Sequence, residues 1–70
     1  MSVVKVIELI GESSESWEDA ARLCVQDAKK TIRGIKSIWV KDMQAKVEND
    51  QLISFRVNCK VSFVIDEEAR

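Results

Sequence analysis

The alternation in residues 53–65 constrains the fold of this chain more than any other feature. Apolar side chains occupy every odd position of this segment, and polar side chains occupy the even positions up to Ser62. A period of two is typical of a β-strand with one buried face. The segment therefore predicts a long strand, from Leu52 to about Ile65, whose apolar face packs against the helix.

Two further strands are predicted. Residues 37–47 precede the polar stretch 48–51 and are expected to form the other arm of a hairpin, with Asn49 and Asp50 as a two-residue turn. Residues 3–10 are rich in β-branched side chains and end at Gly11. They predict a first strand that is closed by a turn at this glycine.

A helix is expected between the first and second strands. Ser16 is a suitable N-cap, and Glu18 and Asp19 suit the positive end of a helix dipole. An apolar stripe of mostly small residues predicts a helix of about 18 residues that ends before Gly34 and lies close against the sheet. The stripe comprises Trp17, Ala20, Ala21, Cys24, Ala28, Ile32 and Ile35. The prediction is an α+β fold, β-α-β-β, in which residues 1–70 form one domain with a three-stranded antiparallel sheet wrapped on one helix.

Composition narrows the classes of function. Seventy residues with 46% hydrophobic content are near the lower limit for a single core, so self-association is expected. The net charge of -1, without a block of one sign, does not indicate a nucleic-acid partner. The apolar run at residues 3–7 is too short for a membrane span, so we expect a cytoplasmic protein. Cys24 and Cys59 occupy apolar positions and are expected to be buried, reduced thiols.

Catalytic and metal-binding patterns are weak. The chain has no histidine, no nucleophile-base set and no glycine-rich phosphate loop, so we do not expect an enzyme. Acidic residues cluster at positions 12–19, 48–50 and 66–68, without the spacing of a calcium loop. A calcium site would need oxygens from several chains, or from carbonyl groups and water, so the sequence leaves open whether the chain binds calcium.

Trp39 is the candidate ligand-binding residue. With a two-residue turn, Trp39 faces Lys60, Lys41 faces Asn58 and Met43 faces Arg56, all on the side of the sheet that the helix does not cover. A large aromatic side chain there needs a partner, either another copy of the chain or a flat ligand. Trp17, by contrast, lies on the helix stripe and is expected to pack in the core.

The order and spacing of these segments resemble the dodecin family. The likeness lies in KVIELIGES at residues 5–13, SWEDAA at 16–21, IWV at 38–40, FRV at 55–57 and VSF at 61–63. This resemblance implies a hollow homododecamer that holds flavins in pairs at two-fold contacts between subunits. It also implies that Trp39 stacks on the flavin ring and that Lys46 aligns with a basic residue that meets the phosphate of FMN.

One position departs from that pattern. Flavin-binding members carry a glutamine that hydrogen-bonds the polar edge of the ring, and here the aligned residue is Arg56. The aromatic-arginine pair also resembles a calcium-binding branch of the family, which shares the Ser16-Trp17-Glu18 helix start but lacks the strand tryptophan. Two functions are therefore expected as alternatives. The first is storage and protection of flavin, either riboflavin or FMN, with Trp39, Arg56 and Lys46 as contacts; the second is a flavin-free dodecamer that binds calcium or serves as a shell, with Arg56 in the cleft.

Overall fold

The computed structural model describes residues 3–65, which form three strands and a helix in the predicted order. These are β1 (Val3–Ser13), α1 (Trp17–Ala28), β2 (Ile35–Glu48) and β3 (Gln51–Ile65). The sheet is antiparallel with the order β1-β3-β2, so the alternating segment is its central strand. Within residues 3–65, no helix has the length and apolar character needed to cross a membrane.

The core lies between α1 and the central strand. Val57, Cys59 and Val61 of β3 are completely buried, as the alternation predicted. Facing them are helix residues with small side chains, including Ala20 and Cys24. Small side chains let the helix axis approach the sheet closely, which gives this short chain a dense core.

Gly11 is not a turn, and that prediction was wrong. Strand β1 runs through Gly11 to Ser13, and a Cβ atom on Gly11 would lie 2.3 Å from the backbone oxygen of Ala20 and 2.6 Å from Sγ of Cys24. The glycine is therefore explained by the close approach of α1 to β1, since nothing larger fits between them.

Helix α1 is shorter than predicted. Ser16 is the N-cap, as expected, and its Oγ accepts a hydrogen bond from the backbone N–H of Asp19 at 2.9 Å. The helix ends at Ala28, however, and Ile35, which was assigned to the helix stripe, begins β2. The chain leaves the helix through a turn, in which the backbone N–H groups of Thr31 and Ile32 both donate to the oxygen of Ala28, and then passes Gly34 at a φ of +74°.

The hairpin turn and part of its register are as predicted. Asn49 and Asp50 both have positive φ, 52° and 61°, as a type I′ turn requires. Trp39 pairs with Lys60, which confirms that its side chain lies on the face away from the helix. That face of the sheet is called the open face below.

The middle of the hairpin departs from the predicted register. The pairing shifts between Val40 and Asp42 and shifts back between Lys46 and Val47. Between these two irregularities, Met43 pairs with buried Val57 on the helix side, so its predicted place beside Arg56 was wrong. Lys41 of β2 and Ile53 of β3 are the two unpaired residues, and between them the side chains of β2 lie on the face opposite to the predicted one.

Candidate functional site

The open face is built from three rows of paired residues that cross the sheet. Each row joins one residue of β1, one of β3 and one of β2, because antiparallel partners point to the same side. The rows are Glu8-Lys60-Trp39, Ile10-Asn58-Asp42 and Glu12-Arg56-Gln44. The face therefore carries one indole at one end and a set of charged and amide groups along the rest.

Trp39 is the largest apolar group on the open face. Its side chain is 63% exposed, although it belongs to a strand of a folded sheet. The ammonium of Lys60 lies 5.2 Å from the centre of the ring, a cation-π contact of about 0.5 to 1 kcal/mol at an exposed site. One face of the ring is thus close to the Lys60 ammonium, so a flat ligand has to displace this group or use the opposite face.

Sequence reasoning placed Lys60 opposite Trp39 but did not name it as a site residue. The available signal was the register itself, because a lysine directly across from an exposed indole has the reach to stack on it. A second lysine, Lys41, pairs with Glu8 at 3.1 Å in the same region. Lys60 is therefore the cation beside the indole, and Lys41 is paired with a carboxylate of the same row.

Arg56 is held within its own chain. Its guanidinium Nη2 donates to Oε2 of Glu12 at 3.0 Å, and both side chains are about half exposed. Arg56 lies four residues along β3 from Lys60, about 13 Å at the usual rise, so it does not reach Trp39 of the same chain. Its predicted contact with a ligand or with a neighbouring indole stays a prediction.

A shallow cavity of about 150 Å³ lies on the open face beside Arg56. It is lined by Ile10, Asp42, Gln44, Arg56 and Asn58. Sequence reasoning missed Asp42 and Gln44, because the uninterrupted register assigned them to the helix side. No local pattern announces the bulge that turns them outward.

Lys46 belongs to a neighbouring groove of about 180 Å³ that also includes Glu12, Gln44 and Arg56. The structure therefore brings two of the three predicted contacts together, Lys46 and Arg56. Trp39 lies apart from both of them, so a site that uses all three requires a second copy of the chain.

Trp17 has the structural role predicted for it. Its ring meets Phe55 edge-on, with centroids 4.8 Å apart, and its Nε1 donates to the backbone oxygen of Gln44 at 2.8 Å. This bond attaches the start of α1 to β2 at the level of the cavity. Trp17 thereby supports the strand that presents Gln44 but lies on the opposite side of the sheet.

The two thiols are buried neighbours in the core. Burial above all, together with a hydrogen bond to Cys59, raises the pKa of the Cys24 thiol from 9.0 to about 11. A thiol that stays protonated is a poor nucleophile and a poor metal ligand. This environment agrees with the expectation of buried, reduced cysteines.

The acidic residues form no compact cluster within residues 3–65. No group of three or more His, Cys, Asp or Glu side chains there has an arrangement that could hold a metal ion. In the acidic stretch at 12–19, Asp19 accepts a hydrogen bond from Ser13 and Glu12 pairs with Arg56. The acidic residues at 66–68 lie outside the described residues.

Comparison with known proteins places the chain in the dodecin family. The model of that family, described as Dodecin, matches residues 3–66. The curated calcium dodecin of Mycobacterium tuberculosis is 40% identical over 63 residues, which is 90% of this chain and 89% of that protein. The chain belongs to the dodecin family.

Solved structures show the same fold. A single-residue variant of the Thermus thermophilus dodecin is 28% identical, with a TM-score of 0.91 over 96% of this chain and 100% of that one. The M. tuberculosis calcium dodecin, described as a calcium-chelating antigen with a novel calcium-binding site, is 36% identical, with a TM-score of 0.81 over 96% of both chains. The sequence is thus more similar to the calcium dodecin, and the backbone is more similar to the Thermus dodecin.

Proposed function

We propose that this dodecin binds and stores flavin, riboflavin or FMN, by stacking the ring on Trp39 where subunits of a homododecamer meet. The observation that carries the proposal is the 63% exposed indole on the open face of the sheet. A ring of this size in a strand gains free energy when a flat partner covers it. The proposed role is binding and protection, not catalysis.

Stacking accounts for both affinity and protection. Aromatic stacking of a planar heterocycle contributes about 1 to 3 kcal/mol and excludes water without a dense set of hydrogen bonds. An excited flavin in contact with indole also accepts an electron from it rapidly and then returns it, so the light energy is lost before photochemistry begins. Flavin emission should therefore be quenched when the ring binds.

The proposed site requires more than one subunit. Trp39 and Arg56 are about 13 Å apart along the sheet of a single chain. Exposed apolar residues on both edge strands, among them Val6 and Ile10 of β1 and Met43 and Val47 of β2, provide surface for contacts between copies. Twelve subunits of 8.0 kDa, each a single domain of residues 1–70, give a particle of about 96 kDa that sedimentation can identify.

Arg56 and Lys46 have distinct roles in this proposal. Arg56 offers several donors and no acceptor, so it suits a ring carbonyl and favours the anionic reduced flavin. Lys46 extends from the adjacent groove, where a phosphate of FMN would meet its ammonium. In wild type, the Arg56 guanidinium has to give up its ion pair with Glu12 before it can contact a ligand. Glutamine at this position has no such ion pair to lose, so we expect Arg56→Gln to strengthen the binding of oxidised flavin.

The alternative is a flavin-free shell that binds calcium or only encloses space. The 40% identity with a calcium dodecin favours it. Lys60 over one face of Trp39 also favours it, because a lysine that stays there leaves less ring surface for a flavin. Calcium takes six to eight oxygens, so this alternative requires ligands pooled between chains.

Titration of riboflavin and FMN with flavin-stripped protein tests the proposal. We expect quenching on binding, and Trp39→Ala should weaken affinity roughly 10- to 100-fold, which corresponds to the loss of one stacking contact. Trp39→Phe should retain an intermediate affinity. Trp17→Phe is the control, since it also removes one tryptophan but at a position on the opposite side of the sheet from Trp39. Undiminished flavin emission at excess subunit would contradict the proposal, and an increase in thermal stability with calcium alone would favour the alternative.

A further inference from the structure

Asn58 carries a buried polar atom that the fold does not satisfy. Its Oδ1 is shielded from solvent and has no hydrogen-bond partner within residues 3–65. Buried polar atoms in native proteins are nearly always paired, and an unpaired acceptor costs stability. Asn58 lies on the open face of the central strand, so a partner from outside the chain can meet this oxygen once rotation of the terminal torsion turns it to the surface.

The position of Asn58 restricts what that partner is. Its side chain lines the cavity of about 150 Å³ between Ile10 on one side and Asp42 on the other. Asn58 is two residues along β3 from Lys60, the partner of Trp39, so it lies about 7 Å from the indole row. A three-ring ligand centred on Trp39 extends over this cavity.

The chemistry of the cavity matches one edge of such a ligand. The pyrimidine end of a flavin is an imide, with two carbonyl oxygens flanking an N–H group. A carboxamide presents an acceptor and two donors side by side, and rotation of its terminal torsion exchanges the atom that faces the cavity. Asn58 can therefore accept from the imide N–H and donate to an adjacent carbonyl.

We propose that the carboxamide of Asn58 hydrogen-bonds the imide edge of the ring stacked on Trp39 and thereby sets the selectivity of the site. This inference rests on the proposed flavin function. Gln44 is the other carboxamide of the cavity, but it lies in the row of Arg56, about 13 Å from the indole row. Of the two carboxamides, only Asn58 is near enough.

The first test compares riboflavin with N3-methylriboflavin, in which the imide hydrogen is replaced by a methyl group. Wild-type protein should bind riboflavin about 3- to 10-fold more tightly than the methylated ring, the range of one hydrogen bond. Asn58→Ala should lose this discrimination, so that it binds the two rings equally. Ser54→Ala is the matched control, because it removes a polar group from the same face of β3, four residues away, and should discriminate as wild type does.

The second test needs no flavin. Asn58→Leu has nearly the same shape and removes the unpaired acceptor, so the flavin-free protein should unfold at a higher temperature than wild type. A lower unfolding temperature would show that the carboxamide serves the fold, and it would overturn the inference.

The outcomes separate this inference from the proposed function. If wild type binds riboflavin and its methylated form equally, and Trp39→Ala still weakens binding as expected above, the role of Asn58 is refuted and the stacking role stands. If wild type binds neither ring, both proposals fail.

Discussion

Replacement of Gly11 by alanine is the sharpest test of how the helix and sheet fit together. The added Cβ would lie 2.3 Å from the backbone oxygen of Ala20, where an ordinary contact is 3.4–4 Å. The helix must therefore retreat by about 1 Å, because a backbone atom cannot rotate away. That retreat separates Ala20 and Cys24 from the buried side chains of Val57 and Cys59.

The magnitude follows from two opposing terms. Overpacking of this kind costs about 1 to 3 kcal/mol, and the separated core contacts put Gly11→Ala at the upper end of that range. Alanine gains about 0.4 to 1 kcal/mol by restricting the unfolded chain. The net loss should be about 2 kcal/mol, measured by urea unfolding at a fixed protein concentration because subunit association contributes to stability.

Two further variants make the result specific. Gly34→Ala introduces a Cβ with its nearest neighbour at 3.7 Å, so its cost should come only from the positive φ of +74°. Cys24→Ala in the Gly11→Ala background should restore only part of the loss, because it relieves the 2.6 Å contact with Sγ and leaves the one with the Ala20 oxygen. A Gly11→Ala protein as stable as wild type would refute the close approach of α1 to β1.

Three other predictions follow from the described contacts. The pKa of Cys24 is about 11 in the folded chain and 9.0 ordinarily, so the stability that this thiol contributes is intact below pH 9 and lost as pH rises towards 11. Between these pH values, the free energy of unfolding of wild type should fall by about 2 to 3 kcal/mol relative to that of Cys24→Ala, as measured by urea unfolding. Lys46→Gln should weaken FMN binding about 2- to 5-fold at low salt and leave riboflavin binding unchanged, and equal effects on both flavins would exclude a phosphate contact. Ser16→Ala should destabilise the protein by about 1 kcal/mol in thermal unfolding, because it removes the cap on Asp19 N–H; an unchanged midpoint would mean that water replaces the cap.

The parts of the fold that could be predicted are those with a local physical signal. The period of two in β3 and the left-handed turn at Asn49 and Asp50 follow from side-chain alternation and turn chemistry. The N-cap at Ser16 follows from its side-chain oxygen. The exposure of Trp39 was also predicted correctly, because the two register shifts between the turn and Trp39 cancel at its row.

The parts that could not be predicted depend on tertiary contacts. A glycine at the end of an apolar run is compatible with a turn or with close packing, and only the position of α1 decides for Gly11. The apolar spacing of Ile32 and Ile35 continues the helix period, although Ile35 begins a strand.

The bulge after Val40 carries no recognisable motif, yet it exchanges Met43 for Gln44 on the open face. The ion pair of Arg56 with Glu12 requires the register of β1 on β3, which no hairpin signal supplies. Sequence reasoning therefore named Trp39, Arg56 and Lys46 as site residues but missed Asp42 and Gln44, which the bulge turns to the open face.

The most direct test of the central claim is a crystal structure of the full chain grown with riboflavin. We predict a planar ring parallel to the indole of Trp39 at about 3.5 Å, the contact distance of stacked carbon atoms, with Lys60 displaced from the occupied side. A structure in which lysine or neighbouring protein covers both faces of that indole, with flavin absent from every subunit contact, would contradict the account.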